Sequence, residues 1–134
     1  MATNLKITPI NGPLGAEICG INLANISDSE FEAIHLAWLD NCVILLRGQE
    51  LTDQDLINFS KRLGTLDFAP VQETGRRFVK GYPEIYVISN VIENGQPIGS
   101  LGAGEAVWHT DMSYLEEPPK ASMVYALETP PVGG

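Results

Sequence analysis

Twice in its first half, the chain sets a hydroxyl residue three positions before an acid and then begins an apolar repeat of helical period. Ser27 precedes Glu30, with Phe31, Ile34 and Trp38 following; Thr52 precedes Asp55, with Leu56, Phe59 and Leu63 following. This is the spacing of a capping box, in which the hydroxyl accepts from the backbone three residues on while the acid reaches back to the capping residue's own N–H. Two helices are thereby set at their first turns, and Gly64 ends the second. Between them, "CVILLRG" is too short and too β-branched for a helix and reads as a buried strand ending at Gly48. Upstream, "LKITPINGPLGAEICGINL" alternates short apolar runs with Gly and Pro, which predicts two small strands joined by a turn around Asn11 and Gly12. His35 lies beside the first apolar stripe, where partly buried packing is expected rather than a ligand role.

After Gly64 the pattern changes. Residues 68–83, "FAPVQETGRRFVKGYP", carry Pro, Gly and charge without a period and predict a long loop, the kind of segment that often serves function inside a compact domain. "EIYVISNVIENGQPIGSL" reads as a strand followed by an Asn94–Gly95 turn of the sort that closes a hairpin. "LGAGEA" could suggest a phosphate cradle, but neither a Lys-Ser/Thr nor a helix follows, so it is assigned to an approach loop. Then come "AVWHTDMSY" at 106–114 as a strand, the turn "EEPP", a strand over 121–127 within "KASMVYALE", and a final turn "TPPVGG". With helices confined to the first half and strands filling the second, the fold class is α+β, mainly β.

Composition limits the partners. The 134 residues are 44% hydrophobic and 19% charged, which describes a folded globular chain of one domain. Eight basic residues against seventeen acidic ones give a net charge of −9. Phosphate neutralisation needs a positive face, so nucleic acid is excluded. The one basic cluster, "GRRFVKG", offers Arg76, Arg77 and Lys80 to an anionic small molecule, set against the plainer reading of a solvated loop. The N-terminal residues hold no apolar core of signal-peptide length, and "CVILL" is far too short to span a bilayer, so no membrane partner is expected and the location expected is cytoplasmic. Cys19 and Cys42 form no CxxC pair and sit in apolar stretches, predicting two reduced, buried thiols rather than a disulfide.

The chemistry gathers at "WHTDMSY". On a strand, residues two apart share a face, so His109 and Asp111 project together while Trp108 and Thr110 point the other way, Trp108 into the core. An imidazole nitrogen beside a carboxylate oxygen suits a first-row divalent ion. One more histidine would complete the 2-His-1-carboxylate triad of non-haem Fe(II) oxygenases. A hydrogen-bonded polar pair with no metal is the alternative.

The flanks extend this pattern. "WHTDMSY" with "PP" and "PPVGG" downstream, and "GAEICGINL", "VILLRGQELTDQDLINFSKRLGTLD" and "GYPEIYVISN" upstream, run in one order along nearly the whole chain. In these motifs the sequence resembles the TauD/TfdA family of Fe(II)- and 2-oxoglutarate-dependent dioxygenases. The resemblance implies a double-stranded β-helix, the cupin-like jelly roll, with helices packed outside it, residues 1–134 forming the N-terminal part of a single such domain. It implies that His109 and Asp111 are the first two iron ligands, that 2-oxoglutarate and dioxygen are cosubstrates, and that a small organic, anionic substrate is hydroxylated with release of succinate and carbon dioxide. By position relative to the motif, Asn90 and Tyr114 could line the substrate pocket, with packing and turn roles equally open. Glu105, Glu116 and Glu117 read as loop and turn surface.

No histidine follows His109, and the arginine with which the family pairs the far carboxylate of 2-oxoglutarate is also missing. The jelly roll is therefore expected to be incomplete here, the chain being an N-terminal fragment, a truncated product or one piece of a longer chain, and these 134 residues alone are expected to be inactive. The alternative function is a truncated, non-catalytic fragment whose exposed strand edges drive self-association into a homo-oligomer or pairing with a complementary chain. A third reading is a metal hydrolase or cupin-like isomerase using His109 and Asp111 with zinc or manganese.

Overall fold

Residues Lys6–Pro9 (β1) and Ala16–Cys19 (β2) pair antiparallel, with Ile7 opposite Ile18 and Pro9 opposite Ala16. The turn expected around Asn11 and Gly12 joins them and is closed by Ile10 N–H donating to Gly15 O at 2.9 Å. These positions belong to a computed structural model that describes residues 5–71, 78–100 and 108–132. The chain forms two compact units, Met1–Phe59 and Ser60–Gly134.

In the first unit, β2 is the centre. Its Ala16 and Ile18 are 0% and 1% exposed while Glu17 between them is half-buried, the alternation of a strand with one face on the core. Helix α1, Asp28–Asn41, packs on β2 and on the short strand β3, Ile44–Leu45, which runs parallel to β2 with Ala16 opposite Ile44. The capping box forms as its spacing predicts: Glu30 N–H donates to Ser27 Oγ at 3.3 Å, and Ser27 N–H donates to Glu30 Oε2 at 2.9 Å. At the far end Cys42 takes φ 64°, which turns its N–H back onto Trp38 O at 2.7 Å and stops the helix. The chain then re-enters the sheet, where Gly15 and Ala16 N–H donate to Asn41 and Val43 O.

The buried face of α1 is Ile34 and Ala37, with Phe31 and Trp38 half-buried on its flank. His35 lies between those aromatics, stacked on Phe31 at 6.0 Å and on Trp38 at 5.9 Å, and Phe31 meets Phe59 edge-on at 5.9 Å. The packing role expected of His35 is thus observed, with its Nε2 buried and without a hydrogen-bond partner among the described residues.

Helix α2, Asp53–Lys61, repeats the cap with Asp55 N–H donating to Thr52 Oγ1 at 3.2 Å and Thr52 N–H to Asp55 Oδ2 at 3.0 Å. Its buried residues are Ile57 and Phe59, so the core stripe is rotated from the expected Leu56, Phe59 and Leu63. Gln49, which sequence reasoning passed over, substitutes for a strand: its Oε1 accepts from Leu23 N–H and its Nε2 donates to Ile21 O, at 3.0 and 3.1 Å. No helix among the described residues is long and apolar enough to cross a membrane.

In the second unit, Ile92–Glu93 (β4) and Gln96–Pro97 (β5) form the expected hairpin. Asn94 and Gly95 both take positive φ, 50° and 76°, as a two-residue turn with both central positions left-handed requires. Ile98 N–H donates to Val91 O, but the strand expected in "EIYVISN" reduces to an isolated parallel bridge of Ile88 with Ser100, in which Ser100 N–H donates to Val87 O.

Four expectations are corrected. No strand runs through 108–114 or 121–127, because a strand needs a neighbour for its N–H and C=O groups and none of the described residues pairs there. Trp108 is fully exposed, at 102%, because without the strand it has no inward face. Both thiols are free as expected, yet exposed rather than buried: Cys19 is the last residue of β2 and Cys42 the left-handed residue past α1, both off the core face. The buried strand "CVILLRG" shrinks to Ile44–Leu45, half-buried.

The caps give a measurable stability. Ser27→Ala removes the acceptor for Glu30 N–H and is expected to cost about 1 kcal/mol, read by urea denaturation followed by circular dichroism. Hydrogen bonds from Ser27, first its hydroxyl and then its backbone N–H, hold the Glu30 carboxyl below its usual range, and Thr52 does the same for Asp55. A carboxyl whose folded pKa is depressed stabilises the fold above its unfolded value and loses that contribution as pH falls through the folded one. Stability should therefore decline as pH drops below about 4.5. Glu30→Gln should flatten that acid limb; an unchanged limb would contradict the cap.

Candidate metal centre

The residues from Trp108 onward enter a turn, and that turn does what the strand was expected to do. Residues 111–114 form a turn in which Met112 takes φ 48° and Leu115 N–H donates to Met112 O at 3.1 Å. The bend aims the two side chains at one point, with His109 Nε2 3.0 Å from Asp111 Oδ1. Both are open to solvent, His109 at 66% and Asp111 at 55% of the side chain. The pair is thus a local product of the turn.

Asp111 has a second partner that sequence reasoning missed. Ser122 Oγ–H donates to Asp111 Oδ2 at 2.9 Å, across eleven residues of sequence. No spacing rule links a serine to an acid at that separation, so only the folded chain reveals the contact. The carboxylate is consequently held at both oxygens, Oδ2 by the hydroxyl and Oδ1 by the imidazole.

The donor set fits a divalent ion. Two ligands at about 2.1 Å in adjacent octahedral positions stand about 3.0 Å apart, which is the separation observed between Nε2 and Oδ1. A proton now bridges the two atoms where an ion could. Nitrogen and carboxylate oxygen together select a first-row transition ion over Mg²⁺ or Ca²⁺. Among the described residues no third His, Cys, Asp or Glu joins them.

The other candidate residues lie apart from this pair in kind. Tyr114 is on the same turn, 83% exposed. Asn90 is exposed at the end of the 87–90 segment that precedes the hairpin. That segment depends on a close approach: a Cβ at Gly99 would sit 2.8 Å from Ser89 N and from Val87 O. Lys80 is exposed, whereas Arg76, Arg77, Glu105 and the "LGAGEA" loop lie outside the described residues.

Comparison with known proteins identifies what this arrangement resembles. Residues 6–134 match the model of the taurine catabolism dioxygenase TauD, TfdA family. An (S)-phenoxypropionate/alpha-ketoglutarate-dioxygenase of Delftia acidovorans is 31% identical over 144 aligned residues, covering 100% of this chain and 46% of its own. An alpha-ketoglutarate-dependent sulfate ester dioxygenase of Pseudomonas putida is 33% identical, covering 99% of this chain and 40% of its own. A solved taurine dioxygenase of Burkholderia xenovorans superposes on 86% of this chain and 37% of its own with a TM-score of 0.65 at 28% identity. The chain thus spans less than half the length of the curated relatives it matches.

Gly99→Ala should expose the constraint on Asn90. The added methyl meets backbone rather than a flexible side chain, so a loss of about 1–3 kcal/mol is expected in denaturant unfolding. A neutral result would show that the 87–100 pairing does not hold that segment.

Proposed function

The chain belongs to the TauD/TfdA family, and from that premise we propose that its protein is an Fe(II)- and 2-oxoglutarate-dependent dioxygenase hydroxylating a small anionic organic substrate. The observation that carries the proposal is the convergence of His109 Nε2 and Asp111 Oδ1 at 3.0 Å. It falls in the stretch where the sequence carries the family's motif. Relatives whose names specify phenoxypropionate and sulfate esters support an anionic substrate class.

In this proposal residues 1–134 are the N-terminal part of one jelly-roll domain with flanking helices. The likeness to a solved taurine dioxygenase supports that fold. His109 and Asp111 would hold Fe(II). Bound iron with 2-oxoglutarate and dioxygen supplies the oxidation of a substrate C–H bond, the cosubstrate leaving as succinate and carbon dioxide.

The chain's own residues position and select. His109 contributes a neutral nitrogen donor and Asp111 a charge that offsets part of the ion's own. A third protein ligand would have to come from outside these 134 residues, and the open turn would leave room for it and for small molecules. Asn90 and Tyr114 would line the substrate side, a polar amide and a phenol suited to an oxyanion and an organic body respectively. The partners are then substrate, 2-oxoglutarate and dioxygen, with neither nucleic acid nor membrane. We assign the cytoplasm, and a homo-oligomer covering exposed apolar residues such as Val124 and Leu127.

Anaerobic addition of Fe(II) and 2-oxoglutarate to the full-length protein, of which residues 1–134 are the N-terminal part in this proposal, should produce the weak visible absorption of an iron–oxoacid chelate. The band should vanish in His109→Ala. On admission of air with substrate, succinate should form in step with hydroxylated product. A wild-type protein without the band, or a band surviving His109→Ala, would overturn the proposal.

A further inference from the structure

We infer that Ser122 is a positioning residue for the proposed metal ligand Asp111, fixing which carboxylate oxygen faces the ion. The inference rests on the reading of His109 and Asp111 as ligands, and it concerns a residue that neither the motif nor its spacing singles out.

An ionised carboxylate has acceptors only, so the Ser122 hydroxyl at 2.9 Å from Oδ2 must be the donor. The torsion that turns a carboxylate is broad and two-fold, and nothing intrinsic distinguishes Oδ1 from Oδ2. Ser122 breaks that equivalence. With Oδ2 engaged, Oδ1 is left beside His109 Nε2 at 3.0 Å, and the acid is set to bind through one oxygen. Single-oxygen binding leaves more of the ion's faces open to small molecules than a carboxylate chelating through both.

The hydroxyl also ties the motif turn to a segment eleven residues downstream. Asp111 is solvent-exposed and sits on a turn, where its rotamers would otherwise be free. Outer partners of metal ligands typically change metal affinity by about 10- to 100-fold when removed. A charge-assisted O–H···O bond belongs to the stronger class of such contacts.

The test titrates the protein with Mn²⁺ alone, following free ion by electron paramagnetic resonance. Wild type is compared with Ser122→Ala, Ser122→Thr, Asp111→Ala and His109→Ala, each checked for native far-ultraviolet circular dichroism. Asp111→Ala and His109→Ala should abolish binding. Ser122→Ala should weaken it by about 10- to 100-fold, and Ser122→Thr, which keeps the hydroxyl, should restore it. The infrared splitting of the Asp111 carboxylate stretches should be that of single-oxygen ligation in wild type and narrow toward the two-oxygen mode in Ser122→Ala. A purely structural role would not move that splitting. If Asp111→Ala loses the ion while Ser122→Ala binds it as wild type does, the inference about Ser122 fails and the ligand reading stands. If Asp111→Ala and His109→Ala bind Mn²⁺ like wild type, the ligand reading itself fails.

Discussion

The first N–H groups of a helix have no acceptor within it, and in α1 that deficit is met by Ser27 and Glu30, two side chains that cap each other's backbone. The rest of the first unit follows from where this cap places the helix. With its start set, α1 packs on β2, and Ile34 and Ala37 of the helix are buried along with Ala16 and Ile18 of the strand. With its end set by Cys42, the chain emerges beside the start of β2 and pairs there as β3. Gln49 meets the same requirement further on, its amide serving two backbone groups that lie outside the regular ladder.

The same need for partners shapes the candidate site, with side chains taking the place of backbone. Around Asp111 a ring nitrogen and a hydroxyl converge on one carboxylate. This is a compact solution, since one acid organises residues from the motif turn and from a segment well downstream. It also leaves His109 Nε2 and Asp111 Oδ1 side by side and open to solvent.

Much of this was legible in the sequence because it is local. Capping boxes, the Asn94–Gly95 turn and the β1–β2 pairing each depend on residues a few positions apart, and each forms as expected. The pairing of His109 with Asp111 was legible too, though for a different reason than the one that makes it: alternation implied a strand, whereas a turn brings the atoms together. That the segments 108–114 and 121–127 form no strand was not legible, because pairing is a property of neighbours, not of the segment. The thiols were misjudged for a related reason, since an apolar stretch says nothing about which residue ends a strand or passes a helix end. Ser122 and Gln49 could not have been found at all, as their partners lie eleven and more than twenty residues away.

The central claim is that His109 and Asp111 bind one ion together, with Asp111 using a single oxygen. Anomalous diffraction at the manganese edge, from crystals of the protein grown with Mn²⁺, addresses it atom by atom. The account predicts one ion about 2.2 Å from both His109 Nε2 and Asp111 Oδ1, with Oδ2 turned to Ser122. An ion seated elsewhere on the acidic surface, or held by Asp111 through both oxygens with His109 turned away, would contradict it.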